Sequence, residues 1–255
     1  MYNMKKIFAI AAVAVLALST LTLNAQNSFK GIVKYSVAST GEVAIDIPEQ
    51  SATGEMKVYD DRVLTSSIVF TNSPMVNSVM QSGRTLYTFL DFGMVLGYFQ
   101  AHDVELTSYN GDGKIIQKHT VTQTDIDSLT IPVDKGYYIE YVAGQTKKIA
   151  GRDGKLARLH VFDDEGKDKV IDIWYDDTMG PEANFLAQGV RGIPLEYTVT
   201  MDGGKAITIT AVEVTKGKVK EVDFLMPDGF KELPEDQFKA FMEEFQEEME
   251  LLQEE

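Results

Sequence analysis

The three histidines are the residues of this sequence best suited to acid–base chemistry or to binding a transition metal. They are His102, His119 and His160, and none has another histidine two, three or four residues away. A zinc site needs three or four ligands and usually includes one closely spaced pair. His160 lies in RLHVF, a stretch typical of a β-strand. The spacing therefore predicts no metal site and an ordinary sheet position for His160.

Adjacent aspartates form the second group of residues that could do chemistry. The pairs are Asp60-Asp61, Asp163-Asp164 and Asp176-Asp177. Because neighbours on a strand point to opposite faces, such a pair does not form a dyad that shares a proton. The loop FDDEGKDK could hold calcium weakly, but it lacks the twelve-residue spacing and the final glutamate of an EF-hand. We interpret the pairs as strand ends and the loop as a charged hairpin.

Catalytic and phosphate-binding motifs are absent from the sequence. It contains no G-x-S-x-G, no P-loop and no complete G-x-G-x-x-G, because Gly111 and Gly113 have no third glycine at the required place. It also contains no cysteine, which excludes disulfides, thiolate metal sites and a cysteine nucleophile. The sequence predicts a protein that is not an enzyme and has no cofactor. An enzyme whose carboxylates meet only in the folded chain is a third alternative.

Residues 1–25 have the layout of a secretory signal peptide. Lys5 and Lys6 precede the apolar run IFAIAAVAVLALSTLTL, and we expect cleavage between Ala25 and Gln26. A retained transmembrane anchor is the alternative, but the run is barely long enough to span a bilayer and no basic stop follows it. We therefore predict an exported protein, periplasmic or secreted, with no membrane anchor after processing. Residues 26–255 are predicted to form a single β-rich domain.

The net charge narrows the choice of partners. The whole chain carries −15, and loss of the two signal-peptide lysines brings the mature chain to −17. A surface this acidic repels nucleic acids and anionic lipid headgroups. We therefore predict no nucleic-acid partner.

Alternation of apolar and polar residues dominates the mature chain. In FKGIVKYSV, Phe29, Val33 and Tyr35 share one face while Lys30 and Lys34 share the other. Turn residues recur between such stretches, as in NGDG at 110–113 and DDEG at 163–166. Short connections between strands favour an antiparallel sheet over a parallel α/β sheet.

The stretch RGIPLEYTVTMDGGKAITITAVEV predicts a hairpin over residues 191–214 with its turn at Asp202-Gly203-Gly204. One face of its first strand is apolar and carries Ile193, Leu195, Tyr197, Val199 and Met201. This face must lie against the protein's own core or against an apolar ligand.

Three segments have the pattern of helices. SPMVNSVMQSG combines a Ser73 N-cap, Pro74 and a final Gly83. GPEANFLAQG, between Pro181 and Gly189, predicts a second short helix carrying Phe185. Residues 234–255 form the third, an amphipathic helix. Its apolar residues, at three- and four-residue spacing, are Phe238, Phe241, Met242, Phe245, Met249 and Leu252.

The C-terminal helix is strongly acidic. Residues 231–255 hold ten acids and two lysines, a net charge of −8. Like charges four residues apart and acids in the final turn destabilise an isolated helix. We expect the first two turns to dock on the protein's own sheet, with fraying after about Met249. A tail that binds a protein partner is the alternative.

From about residue 146 the sequence resembles a family of exported bacterial proteins of unknown function that are similar in build to LolA, the lipoprotein carrier. The matching elements are Ile149 and Gly151, Trp174 and Tyr175, residues 192–196 and residues 227–230. Members often have a cysteine after the I-x-G element, where this chain has Gly154 and Lys155. The resemblance implies a strongly curved antiparallel sheet, a half barrel that does not close, with short helices in its concave face. Carriers of this build hold acyl chains between sheet and helices.

These observations predict a periplasmic protein that binds or carries a lipid or another apolar ligand in the concavity of the half barrel. The expected ligand-binding residues are Met75, Met80, Phe185, Leu195, Tyr197, Val199, Ile207 and Ile209. Methionine suits such a site because its side chain is flexible and polarisable. The alternative is a non-catalytic envelope structural or interaction protein in which the same residues form a filled core.

Overall fold

The computed structural model describes residues 29–40, 53–66, 75–163, 165–200 and 206–254. The predicted signal peptide and the predicted turn at residues 202–204 lie outside these ranges. Among the helices that are described, none is both long enough and apolar enough to cross a bilayer.

One large sheet organises the described chain. Its strands are β1 (Lys30–Thr40), β2 (Thr53–Tyr59), β3 (Arg62–Thr65), β4 (Val76–Ser82), β5 (Thr85–Asp91), β6 (Lys114–Thr120), β7 (Gly136–Ile149), β8 (Arg152–Phe162), β9 (Asp168–Asp176), β10 (Ile193–Thr200), β11 (Ala206–Lys216) and β12 (Lys231–Glu232). The order across the sheet is β12-β6-β5-β4-β3-β2-β1-β11-β10-β9-β8-β7. Every neighbouring pair is antiparallel except β12 with β6.

The sheet is curved and does not close into a barrel, as predicted. Part of the edge strand β7 comes within 8 Å of β11, measured between Cα atoms. Four strand spacings separate these strands in the sheet order, which would be about 19 Å in a flat sheet. The alternation that predicted the strands is also confirmed. In β1 the side chains of Val33 and Tyr35 are buried, while Lys30 and Lys34 are exposed.

The helices are α1 (Gly93–Ala101), α2 (Gln123–Ser128) and α3 (Glu235–Glu254), with 3₁₀ turns at Phe185–Ala187 and Glu221–Phe224. The predicted C-terminal helix is confirmed as α3. The two shorter helical predictions are wrong. Residues 76–82 form β4, and Gly83, with φ +57°, occupies the two-residue turn between β4 and β5. Between Pro181 and Gly189 the chain makes only the 3₁₀ turn.

Different parts of the chain cover the two faces of the sheet. Residues 177–192, here called the plug, pack on one face through Met179, Ala187 and Val190, and we call this the plug face. Residues 217–230, here called the strap, pack on the opposite face through Val219 and Phe224, and we call this the strap face. Helices α1 and α3 lie on the plug face, over β5 and β6.

Candidate functional site

The hairpin residues that were predicted to bind a ligand share the plug face. Tyr197 lies opposite Ile209, and Val199 lies opposite Ile207, so the four side chains point to the same side of the sheet. Leu195 is fully buried beside them, and Val199 near the end of β10 is 36% exposed. Strands β10 and β11 therefore form the two antiparallel strands of the predicted hairpin.

The plug occupies the space over this hairpin. Met179 is fully buried and Leu186 partly buried in one cluster with Ile193, Leu195 and Ile209. Phe185, also a predicted ligand residue, is itself part of the plug and half-buried. In this conformation the hairpin residues meet the protein's own side chains, as the filled-core alternative expects.

Two buried amides fix the middle of the plug, one from strand β4 and one from the plug itself. Gln81 of β4 is completely buried, and its Nε2 donates to the carbonyl oxygen of Ala183 at 2.5 Å while its Oε1 accepts from the N–H of Phe185 at 2.9 Å. Asn184, also completely buried, donates from Nδ2 to the carbonyl of Gly192 at 3.0 Å and accepts from the N–H of Leu186. Loss of either amide would orphan buried backbone groups of the plug.

An ion pair anchors the start of the plug. Arg152 Nε donates to Asp176 Oδ2 at 2.7 Å, and the other carboxylate oxygen accepts from the N–H and the hydroxyl of Thr178. Asp177, its neighbour in sequence, bonds instead to Lys155 at 2.6 Å. The two carboxylates thus have separate partners. This acidic pair stabilises the end of β9, where the plug begins.

The two methionines of the predicted site lie in other places. Met80 pairs with Leu64 and lies on the strap face, in one cluster with Phe89 and Phe224. Met75 packs at the edge of the cluster beneath α3. The structure therefore brings the hairpin residues together on the plug face, where Leu186 of the plug packs against them. Phe185 bonds through its N–H to Gln81, and neither methionine joins the hairpin residues.

Helix α3 covers an aromatic surface that the sequence prediction did not include. Phe241 is completely buried, and its ring meets Phe92 at 4.9 Å and Tyr109 at 4.9 Å between centroids. Phe245 meets Phe92 at 5.4 Å and Phe99 at 5.5 Å. Leu90 and Ile115 of the sheet form the floor of the cluster, and the partly buried side chains around it include Met75, Val95, Leu96, Phe238, Met242, Met249 and Leu252.

A short hinge joins α3 to the sheet. The N–H of Leu233 donates to the carbonyl of Ile116 at 3.1 Å, and Gln117 Nε2 donates to the carbonyl of Leu233 at 2.9 Å. Pro234 follows, and α3 begins at Glu235. The helix is thus fixed at its N-terminal end by one backbone hydrogen bond and one hydrogen bond from the Gln117 side chain.

One carboxylate fastens the middle of α3. Glu244 Oε1 accepts from the N–H and hydroxyl of Thr107 at 2.7 and 2.9 Å, and Oε2 accepts from the N–H of Ser108 at 2.8 Å and from its hydroxyl. Desolvation opposes the charged form, but the bonds from Ser108 and Thr107 outweigh it and lower the pKa of Glu244 to about 2. We call this contact the Glu244 latch.

His160, one of the three histidines, is held in structural contacts. His160 lies in β8, as predicted, stacks on Tyr138 at 4.4 Å and contacts Asp168 through Nδ1 at 2.9 Å. Over the described part of the chain, no three His, Asp or Glu side chains are grouped so that they could hold a metal ion.

No protein-family model and no curated protein matches the sequence. Among solved structures, PNGF-II is similar over 84% of this chain and 33% of its own, with 12% identity and a TM-score of 0.47. MucB in complex with MucA(peri) is similar over 80% and 56%, with 12% identity and a TM-score of 0.33. A LolA superfamily protein from Nitrosomonas europaea is similar over 78% and 91%, with 9% identity and a TM-score of 0.29.

The chain spans a third of the length of PNGF-II and just over half that of MucB. All three TM-scores lie below 0.5. Ligand and activity therefore have to be inferred from the residues of this chain.

Proposed function

We propose that the protein is an exported, non-catalytic binding protein that takes up an acyl chain or another apolar ligand beneath α3. The observation that carries this proposal is the way the aromatic surface of α1, β5 and β6 is covered. Its cover is helix α3, which has a hinge at its N-terminal end and the Glu244 latch in the middle. Such a cover can be lifted without breaking the sheet.

The charge on α3 supports a cover that opens. Eight acids and one lysine lie between residues 235 and 254, and the last turn has no basic residue. Like charges four residues apart and acids near the helix C-terminus both reduce helix stability. The helix depends on its docked face, since its apolar contacts and the latch must outweigh this repulsion.

The burial of an acyl chain can offset the apolar contacts that α3 loses when it opens. Burial of a Phe side chain contributes about 1.5–3 kcal/mol, and each buried CH₂ of a ligand contributes about 0.8 kcal/mol. Phe241 and Phe245 are the two fully docked rings of α3. A chain with ten buried methylenes contributes about 8 kcal/mol, which is comparable to the two rings together with the partly buried Phe238, Met242, Met249 and Leu252.

The flexible lining of the site suits an apolar ligand of variable shape. Met75, Met242 and Met249 all border the aromatic cluster. Thioether side chains adapt to irregular apolar surfaces and make favourable contacts with aromatic rings. Of the eight residues predicted from the sequence, Met75 belongs to this site.

A second candidate function is a protein-interaction role with a permanently filled core. The observation that favours it is the plug, which fills the face beside the hairpin through buried hydrogen bonds. In this case α3 would not exchange with lipid, and the purified protein would contain none.

Organic extraction of the purified full-length chain, followed by mass spectrometry, tests for a bound lipid. Titration of the lipid-free protein with palmitate then tests binding, and at one hundred times the dissociation constant a ligand of the folded state adds about 2.7 kcal/mol to the free energy of unfolding. If nothing is extracted and palmitate does not raise that free energy, the apolar-ligand proposal is wrong and the interaction role is favoured.

Weakening the Glu244 latch provides a second test, because it should change the affinity for palmitate in a known direction. A ligand that binds only when α3 is open has an apparent affinity reduced by the closed fraction. Glu244→Gln weakens the latch by about 1 kcal/mol and should tighten palmitate binding about fivefold. Glu247→Gln, on an exposed residue of the same helix, is the matched control and should leave the affinity unchanged.

A further inference from the structure

An open pocket lies on the strap face, on the opposite side of the sheet from α3. Its volume is about 240 Å³. Three adjacent strands supply its apolar floor through Leu64, Met80 and Phe89, and the strap supplies a wall through Leu225 and Pro227. Met80 and Phe89 are 3% and 1% exposed, so the floor belongs to the rigid core of the sheet.

Aromatic contacts fix the strap that forms the wall. Phe224 packs against Tyr59 at 6.0 Å between centroids, and Phe230 meets Phe89 edge-on at 5.6 Å. Arg62 lies 4.6 Å above the Tyr59 ring. The pocket is therefore bounded on both sides by well-packed elements and does not need a conformational change to form.

Ion pairs reinforce the same wall. Lys57 Nζ lies 3.5 Å from Asp223 Oδ1, and Arg62 Nη2 lies 3.3 Å from Glu221 Oε1. Both pairs join the strap to the strands beneath it. The strap thus keeps its place over the sheet while Leu225, 65% exposed, stays at the mouth of the pocket.

The size and floor of the pocket define the apolar part of its ligand. An apolar cavity of about 150 Å³ is enough to bind benzene. The pocket volume of about 240 Å³ accommodates a phenyl ring or a branched alkyl group with a short linker. A long acyl chain exceeds this volume, which separates this ligand from the one proposed beneath α3.

The rim of the pocket defines the charge of its ligand. Glu55, Lys57 and Asp223 line it, and Lys57 pairs with Asp223. The hydrogen bond from the Lys220 backbone lowers the pKa of Asp223, so this carboxylate is ionised at neutral pH. Glu55 lies opposite Lys34 in the β1–β2 pair, but Lys34 bonds to Glu213. These three carboxylates and two lysines leave one carboxylate in excess near the mouth, on a chain of net charge −15. This field attracts a cation and repels an anion.

We infer that this pocket is a second binding site, for a small monocation that carries one aromatic or branched apolar group. The apolar group lies on Leu64, Met80 and Phe89, and the ammonium group lies at the rim beside Glu55. Free arylalkylamines and peptides with an N-terminal aromatic residue share this chemistry.

NMR of the full chain labelled with ¹³C at its methionine methyl groups tests the inference. The Met80 methyl, assigned by its loss in Met80→Leu, reports on the pocket floor. The Met179 methyl, fully buried on the plug face, is the internal control. The probes are 2-phenylethylamine, the anion 3-phenylpropanoate and the peptide phenylalanylglycinamide.

We expect 2-phenylethylamine to shift the Met80 resonance saturably, with a dissociation constant below about 1 mM, and to leave Met179 in place. Binding of 3-phenylpropanoate should be at least about tenfold weaker, since its charge is reversed. Glu55→Gln should weaken the amine about threefold or more while the Met179 resonance shows that the fold is kept. Equal affinities of the amine and the peptide assign the site to peptide N-termini, and weaker peptide binding assigns it to free amines.

Three results would overturn the inference. The first is a Met80 resonance that no probe shifts. The second is equal binding of the amine and of 3-phenylpropanoate, which would remove the role of charge. The third is an affinity for the amine that Glu55→Gln leaves unchanged, which would remove the rim carboxylate from the site.

Discussion

The plug and α3 cover neighbouring parts of the same sheet face, but different forces hold them. The fully buried amide of Gln81 ties the plug to β4, and the fully buried amide of Asn184 bonds backbone groups within the plug. Helix α3 is held by aromatic contacts and by one partly exposed carboxylate. A buried polar group left without its partner is costly, whereas apolar contacts can be exchanged for those of a ligand. We therefore expect the plug to remain a fixed part of the core, and we propose α3 as the removable cover.

The largest expected effect comes from breaking the plug. Gln81→Ala leaves the carbonyl of Ala183 and the N–H of Phe185 without their partner, in addition to the lost packing. Each orphaned buried group costs about 1–3 kcal/mol, so we expect a loss of about 4 kcal/mol in the free energy of unfolding, measured in urea. Gln246→Ala on α3 is the control and should change it by less than about 0.5 kcal/mol. Similar losses in the two variants would contradict the role of the plug.

Truncation of a docked ring of α3 should have the next largest effect. Phe241→Ala removes the ring that meets Phe92 and Tyr109. We expect a loss of about 3 kcal/mol, and the loss should be local, because α3 can undock without opening the sheet. Hydrogen exchange should rise along α3 and stay unchanged in the plug. Leu251→Ala, at a residue that is 58% exposed on the same helix, is the matched control. Loss of protection in the plug would show that the two regions are one cooperative unit.

A smaller effect is expected from the Glu244 latch, and it depends on pH. The pKa of Glu244 is lowered in the folded state to about 2, so its contribution is complete above the ordinary glutamate pKa of 4.5 and is lost as the pH falls toward 2. Glu244→Gln should therefore loosen α3 by about 1 kcal/mol at pH 7 and make little difference near pH 2. The Met242 and Met249 methyl resonances would report the opening. The other acids of α3 are present in both proteins, so the difference in opening free energy between Glu244→Gln and the wild type reports on the latch alone. If this difference does not change with pH, the ionised Glu244 does not hold α3 closed.

The smallest expected effect concerns the lone lysine of α3. Lys239 lies 3.8 Å from Glu243 in an exposed pair at four-residue spacing. Lys239→Ala should weaken helix docking by about 0.3–0.5 kcal/mol, and the effect should fade in 1 M salt. Lys148→Ala, which removes another exposed pair, with Asp153, is the control outside the helix. A salt-independent effect of Lys239→Ala would indicate that the charge of α3 does not limit its stability.

The strand pattern was predictable from the sequence wherever only one face of a strand is buried. In β1 the alternation is clear, and β10 and β11 are the two strands of the predicted hairpin. In β4 the alternation fails because both faces are covered, with Val79 buried on the plug face and Met80 on the strap face. Because apolar residues are then adjacent in the sequence, the segment between Pro74 and Gly83 has a pattern that resembles a short helix.

The two helices that were not predicted differ in whether the sequence contains a recognisable helix signal. Helix α2 begins with a capping box between Thr122 and Asp125, a spacing that is visible in the sequence. Helix α1 has no charged residue and no apolar stripe, since Met94 is 89% exposed while Phe99 is buried. Its position depends on packing beneath α3, which local pattern does not encode.

The candidate site was only partly predictable for the same reason. The apolar stripe of α3 indicated that it must dock, and Phe241 and Phe245 are indeed buried. The partner surface at Phe92 and Phe99 comes from segments more than 130 residues earlier, as do Thr107 and Ser108 for the Glu244 latch. Contacts between residues so far apart in the chain produce no local spacing pattern that could be recognised in a single sequence.

Hydrogen exchange of the full chain with and without palmitate tests the central claim most directly, because it reads the plug and α3 in one experiment. If α3 is the removable cover, palmitate should accelerate exchange at residues 238–249 while the amides of Phe185, Ala187 and Val190 in the plug stay protected. Faster exchange in the plug with α3 unchanged, or no change in either region at saturating palmitate, would contradict the claim.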